Sequence, residues 1–469
     1  MHTLDVGWWP IDWKNIGQSS SSQRTRDLSS LIQTVVNRGD WQSGNAMALF
    51  ISGNGTRTAE SYDGSSTDAP KLVITYSANG EVEPEPVPEP PLACNDIENI
   101  TGSIDGVEPE SISHLPVVTD ANGNLYRLTE STKSDGNNPR MMKSTNNGKS
   151  WNEVDKSNRP DIRDLEGVYQ TTDGTTIYYS INTGKRTWFV SFNMSAANSE
   201  KDKWNQEEEV ADDYAKSSVQ YSSLAKLENG DFWIFYSFVE NDKQQIAYKR
   251  RIGENDYSSE KRLDGSDKSW TGPRALSVGN TVYVFYKDED TDRLMMKTIF
   301  ENGNRSDSVR LDNNNTSKVR VPHIHPQAYE LNGEKIISIA YADRNDQLIQ
   351  VNITDNKAGD NVPLTSQDVL QNPEIVRNEG TVATIAKTSD ALYYAWTDDN
   401  TGDILYRKQD IASGSFSNTE IFWDSGTNIA WYLYCSVKIR NECPTLACSF
   451  DVGPHEDDVG DIIYLEKSL

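Results

Sequence analysis

From residue 111 to residue 469 the chain repeats one pattern seven times: a first strand, a tight turn, an aromatic-rich second strand and a shorter third strand. The second strands fall at 125–128, 177–180, 232–236, 282–286, 336–341, 392–396 and 446–450. The third strands centre on Met141, Phe189, Ala247, Met295, Ile349, Leu405 and Ile463. Asn122-Gly123, Asp173-Gly174, Asn229-Gly230, Gly279-Asn280 and Asn332-Gly333 supply turn chemistry between first and second strands. The period is about 51 residues, near the roughly 40–50 of a propeller blade. Units of this size cover their apolar faces only by stacking on neighbours, and closing the stack into a ring leaves no exposed end. The repeat therefore predicts an all-β chain organised as a seven-bladed β-propeller. An open solenoid would need polar capping repeats, which the sequence does not show. The segment 92–102 is expected to add an outer strand to the last blade and so close the ring.

Ahead of the repeats, alternating Glu and Pro from Glu81 to Pro91 favours an extended, self-repelling spacer with no core. Three regions follow: a small module at 1–77, a linker at 78–91 and the propeller at 92–469. In the first module, Leu28, Leu31, Ile32 and Val35 mark a short amphipathic helix within 27–37, and 46–51 and 72–76 read as strands.

With 71 acidic against 45 basic residues, the net charge is −26, which makes nucleic acid an unsuitable partner. No apolar run is long enough to span a membrane. The start of the chain carries no signal peptide, and a monomer is expected. The four cysteines, Cys94, Cys435, Cys443 and Cys448, form no CxxC pair and fit two disulfides better than a metal site. Three pairings are open. Disulfides place the working protein outside the cytoplasm, in which case the chain as given is expected to be a truncated form of a secreted protein. No cofactor is required, although Pro454-His455-Glu456-Asp457-Asp458 offers oxygen and nitrogen donors to a structural Ca²⁺.

Two resemblances to known families sharpen this. Asp27-Leu28-Ser29-Ser30-Leu31-Ile32-Gln33, Trp41-Gln42-Ser43-Gly44-Asn45-Ala46, Arg57, Ser61-Tyr62-Asp63-Gly64 and Ala69-Pro70-Lys71-Leu72 resemble the C-terminal half of a DNRLRE-type module. That likeness implies a β-sandwich remnant of the carbohydrate-binding kind found on secreted polysaccharide-degrading enzymes. Ser144-Thr145-Asn146-Asn147-Gly148-Lys149-Ser150-Trp151 resembles the Asp-box, or BNR, hairpin of sialidase-like propellers, with Asn146 in place of Asp. It implies a structural turn with Trp packed beneath, and no chemistry.

In a propeller the residues that enter each innermost strand surround the central funnel. These entries offer His114, Glu166, Tyr221, Trp270, Arg274, Arg320, His323, His325, Arg377, Trp431 and Tyr432. The stretch from Val219 to Asp231 resembles the Tyr-bearing blade entry of BNR-type propeller lyases, the group that includes ulvan lyases. That resemblance implies β-elimination on a uronate-containing algal polysaccharide, sulfated or not. Tyr221 would be base or acid, Arg274 or Arg320 the carboxylate partner, and His114 or His325 the second proton carrier. Trp270, Glu166, His323, Arg377, Trp431 and Tyr432 would bind the glycan. A second reading is glycoside hydrolysis by paired carboxylates drawn from Asp161, Glu166, Glu374 and Glu379. A third is a glycan-binding propeller that stacks sugars on Trp270, Trp431 and Tyr432. A surface at −26 repels an anionic polysaccharide. At seawater-like ionic strength, however, the screening length shrinks to about 4–5 Å.

Overall fold

In a computed structural model the chain divides into two compact units, Met1–Glu89 and Pro90–Leu469. The residues described are 25, 28–38, 41–42, 45, 47–49, 69–72, 99–104, 115–130, 138–154, 160–162, 165–183, 186–195, 203–211, 221–263, 270–288, 290–291, 293–312, 324–342, 347–365, 383–398, 401–426, 428–440, 443–453 and 462–469. The first unit contributes one helix, Ser29–Val36, whose Leu31, Ile32 and Val35 lie half-buried along one stripe. The strands expected at 46–51 and 72–76 fall mostly outside the described residues, and 47–49 and 72 carry no strand.

The second unit is a seven-bladed β-propeller: seven antiparallel sheets, six of four strands and one of five. Each aromatic second strand of the sequence pattern is found as a strand within a blade. Two of these, Phe232–Glu240 and Glu334–Ala342, are buried over most of their length because both faces are covered. Neighbouring blades supply those covers. The apolar clusters lie between successive blades: blade one on two, two on three, and onward to seven on one. The core is thus a ring of inter-blade layers, so no single blade buries its faces alone.

Closure uses both ends of the unit. Strand Ile100–Ile104 pairs antiparallel with Ile462–Ser468 and forms the outer edge of blade seven, overlapping the end of the segment 92–102 expected from sequence. Against this edge sits the turn of blade one that contains Asn146. Asn146 Oδ1 accepts the Ser150 backbone N–H at 2.9 Å, and Trp151 Nε1 donates to the Gly148 carbonyl at 3.0 Å. Trp151 meets Tyr464 of blade seven edge-on, with ring centroids 5.8 Å apart. Deeper in the same joint the fully buried Arg127 donates through Nη1 to the Leu115 carbonyl and to Ser449 Oγ at 3.2 Å.

The joint leaves no room at Gly102, where a Cβ would stand 1.8 Å from the Gly148 carbonyl oxygen. Gly102→Ala is therefore expected to lower stability by about 3 kcal/mol through overpacking at a backbone contact that cannot rotate away. Thermal denaturation checks this, and an unchanged melting temperature would show that the joint yields.

Blade seven also carries a disulfide between Cys435 and Cys448, directly opposite each other on adjacent strands. Cys443 is disulfide-bonded as well. Cys94 lies outside the described residues.

Candidate active site

The innermost strands bring five side chains from five blades into one cluster: Tyr169 (blade two), Tyr221 (three), Arg274 (four), His325 (five) and Tyr434 (seven). Local irregularity helps to aim them. The inner strands Leu165–Thr172, Trp270–Val278 and Ile429–Arg440 each carry one extra residue relative to their partners. These shifts fall between Leu165 and Gly167, between Thr271 and Arg274, and between Trp431 and Tyr434. A bulge of this kind turns the residues beyond it to a different face and is common beside ligand sites.

Arg274 is the centre of charge. Its side chain is buried, with the guanidinium 5.5 Å over the Tyr169 ring and Nη1 donating to the Pro273 carbonyl at 3.4 Å. Burial lowers its pKa, while the neighbouring Tyr169 and Tyr221 hydroxyls act in the opposite direction. The Tyr169 hydroxyl is committed to the scaffold: it donates to the Ala275 carbonyl at 3.2 Å, and Ala275 N–H donates to Ser223 Oγ at 2.8 Å. Burial raises the Tyr169 pKa, and the Arg274 cation offsets part of that rise. Tyr221 stands just before the inner strand Ser222–Lys226. Its backbone is fixed by Ser237, whose N–H donates to the Tyr221 carbonyl at 2.9 Å and whose Oγ accepts the Tyr221 N–H at 3.2 Å.

His325 enters blade five beside Ile324, which bridges to Ala383 of blade six. Its ring stands edge-on to Tyr434, with centroids 4.7 Å apart and planes at 86°. Burial and then the Arg274 cation push the imidazole down to about 3, so it is neutral at any ordinary working pH. Burial, and then Tyr169, raise the Tyr434 phenol. His325, Tyr434, Tyr221 and Tyr169 are all only half-buried, as side chains lining the hub of a ring should be.

The depressed histidine has a consequence for stability. The unfolded chain takes up this proton below about pH 6.5, whereas the folded protein takes it up only near pH 3. Acid therefore favours unfolding: the contribution is complete above pH 6.5 and declines as pH falls toward 3. His325→Gln is expected to flatten the fall in melting temperature across that window. Parallel pH profiles for the two proteins would argue against an enclosed neutral imidazole.

The remaining expected residues sort differently. Trp431 is buried, and its Nε1 donates to the Gly453 carbonyl at 3.2 Å, so its ring presents little surface to a ligand. Asp161 is exposed. Glu166, Trp270 and Tyr432 lie in inner strands, with side chains outside the described set. His114, Arg320, His323, Arg377, Glu374, Glu379 and the 454–458 loop lie outside the described residues. Among the described residues no group of three or more His, Cys, Asp or Glu is placed to hold a metal ion, and no helix is long and apolar enough to cross a membrane. Tyr169 and Tyr434 are the members that the sequence pattern did not single out.

No family model matches the chain, and no curated protein matches it. Among solved structures it is similar to the polysaccharide lyase Uly1, with TM-score 0.49 and 8% identity over 77% of this chain and 91% of that one. It is similar to an α-L-arabinofuranosidase from Fusarium graminearum, with TM-score 0.42 and 12% identity over 79% of this chain and 98% of that one. It is also similar to the phage phi92 endosialidase, with TM-score 0.41 and 9% identity over 79% of this chain and 69% of that one. At such identities none of them transfers a residue role to this chain.

Proposed function

We propose that the hub carries out β-elimination on a uronate-containing polysaccharide. The observation that supports this reading is the meeting of Tyr221, Arg274 and His325, from three successive blades, in one electrostatic cluster. Elimination needs a cation against the uronate carboxylate, a base for the C5 proton and an acid for the departing oxygen. Arg274 supplies the cation and lowers the cost of charge that builds on the carboxylate as C5 loses its proton. Tyr221, close to that cation, takes the proton, and Arg274 stabilises the phenolate form that does so. His325 stays neutral and adds no competing positive charge. Hydrolysis by the commonest route would instead use two carboxylates.

The mass of the products tests this reading. Cleavage in heavy-oxygen water should give one fragment with an unsaturated uronate at its new end and no solvent oxygen in either fragment. Incorporation of one solvent oxygen per cut would identify a hydrolase instead. A glycan-binding propeller would bind the same polymers and leave their length unchanged.

A further inference from the structure

We propose that Tyr434, in the inner strand of blade seven, is the proton donor to the departing glycosidic oxygen, an assignment that rests on the elimination reading above. Its position follows from local structure. The extra residue between Trp431 and Tyr434 breaks the two-residue alternation of the strand and re-aims the side chains beyond it. Immediately after Tyr434 the backbone is held on two sides. Cys435 is bonded to Cys448 on the adjacent strand. Its N–H donates to Thr384 Oγ1 of blade six at 3.1 Å, and Thr384 Oγ1 donates back to the Cys435 carbonyl at 3.2 Å. A side chain whose backbone is clamped in this way is held for reaction at little further entropic cost.

The hydroxyl at the end of that side chain makes no hydrogen bond to any described residue, although the ring is in contact with His325 and the residue keeps accessible surface. Tyr169, its neighbour in the cluster, instead donates to Ala275. Tyr179, whose hydroxyl makes no hydrogen bond among the described residues, is sealed between blades at 0% exposure and has no access to a ligand. Tyr434 thus combines an uncommitted O–H with a place at the hub. Burial and Tyr169 hold its proton on, as an acid in the resting protein requires. The Arg274 charge acts on Tyr169, Tyr221 and His325, while the group that acts most on Tyr434 is Tyr169. A base beside the cation and a second, uncommitted phenol in contact with His325 are the two proton carriers that elimination needs.

The step balances without a redox partner. Tyr221 takes the C5 proton, the C–H electron pair becomes the C4=C5 double bond, and the C4–O pair leaves with the oxygen. Tyr434 protonates that oxygen. Solvent then returns a proton to Tyr434 and removes one from Tyr221.

The test compares wild type with Tyr434→Phe on an oligouronate and on an analogue that carries fluoride at C4. Fluoride departs without needing a proton. The expected result is a loss in kcat of about 10²–10³ on the oligouronate, less than about tenfold on the fluoride analogue, and an unchanged melting temperature. Equal losses on both substrates, or none on either, would overturn the assignment while leaving the elimination reading intact. If the wild type forms no unsaturated product from either compound, both fall together.

Discussion

Tyr221→Phe is expected to lower kcat on a uronate-containing glycan by about 10³, within the range that positioned acid–base groups contribute. The substitution removes one hydroxyl and keeps the ring. The two backbone bonds to Ser237 that fix the residue's place involve only main-chain atoms of Tyr221, so they survive the change. Stability should accordingly remain within a few tenths of a kcal/mol, as for a change that opens no cavity. If the proton is taken by this phenol, kcat and kcat/KM fall together, because the interaction is made in the transition state. A variant with the wild-type rate would remove Tyr221 from the chemistry and leave His325 as the base.

Arg274→Ala is expected to cost about 10²–10³ in kcat, the loss typical of removing one preorganised electrostatic contact. Here a stability change accompanies the kinetic one, since the guanidinium is buried and covers the Tyr169 ring. Arg274→Lys separates the two effects: it keeps the charge and the hydrophobic stem but loses the planar stacking. It should retain the fold and part of the activity. The decisive comparison uses a glycan whose carboxylates are methyl-esterified. An ester carries no charge for Arg274 to offset, so the alanine variant should lose far less on it than on the free acid. Equal losses would mean that Arg274 acts by supporting Tyr169 and the strand bulge beside it.

The ring was legible in the sequence because its cause is local and repeated. An aromatic strand covered on both faces leaves the same signature wherever it occurs, and turn pairs such as Asp173-Gly174 and Asn332-Gly333 mark where it begins. The closing strand starts inside the segment 92–102 that ring closure picks out, although nothing in Ile100–Ile104 itself names its partner. The hub was half legible. Tyr221, Arg274 and His325 stand at or near strand entries. Tyr169, Arg274 and Tyr434 all lie beyond bulges, and one extra residue exchanges the two faces of a strand, which a count from the blade entry does not follow. Counting forward into blade seven therefore stops at Trp431 and Tyr432, while Tyr434 is the residue that meets His325. The commitment of Trp431 to Gly453 is not legible in the sequence for a different reason: its partner lies 22 residues away, on the paired strand.

On the elimination reading, this hub removes a proton from carbon and breaks the neighbouring bond. Its most direct test is a time course of ultraviolet absorbance for the wild-type protein with ulvan, alginate and other uronate-bearing polymers. The conjugated signal of a C4=C5 unsaturated uronate is expected to rise in step with new reducing ends on at least one of them. New reducing ends that appear without that signal, or polymers of unchanged length across the whole panel, would contradict it.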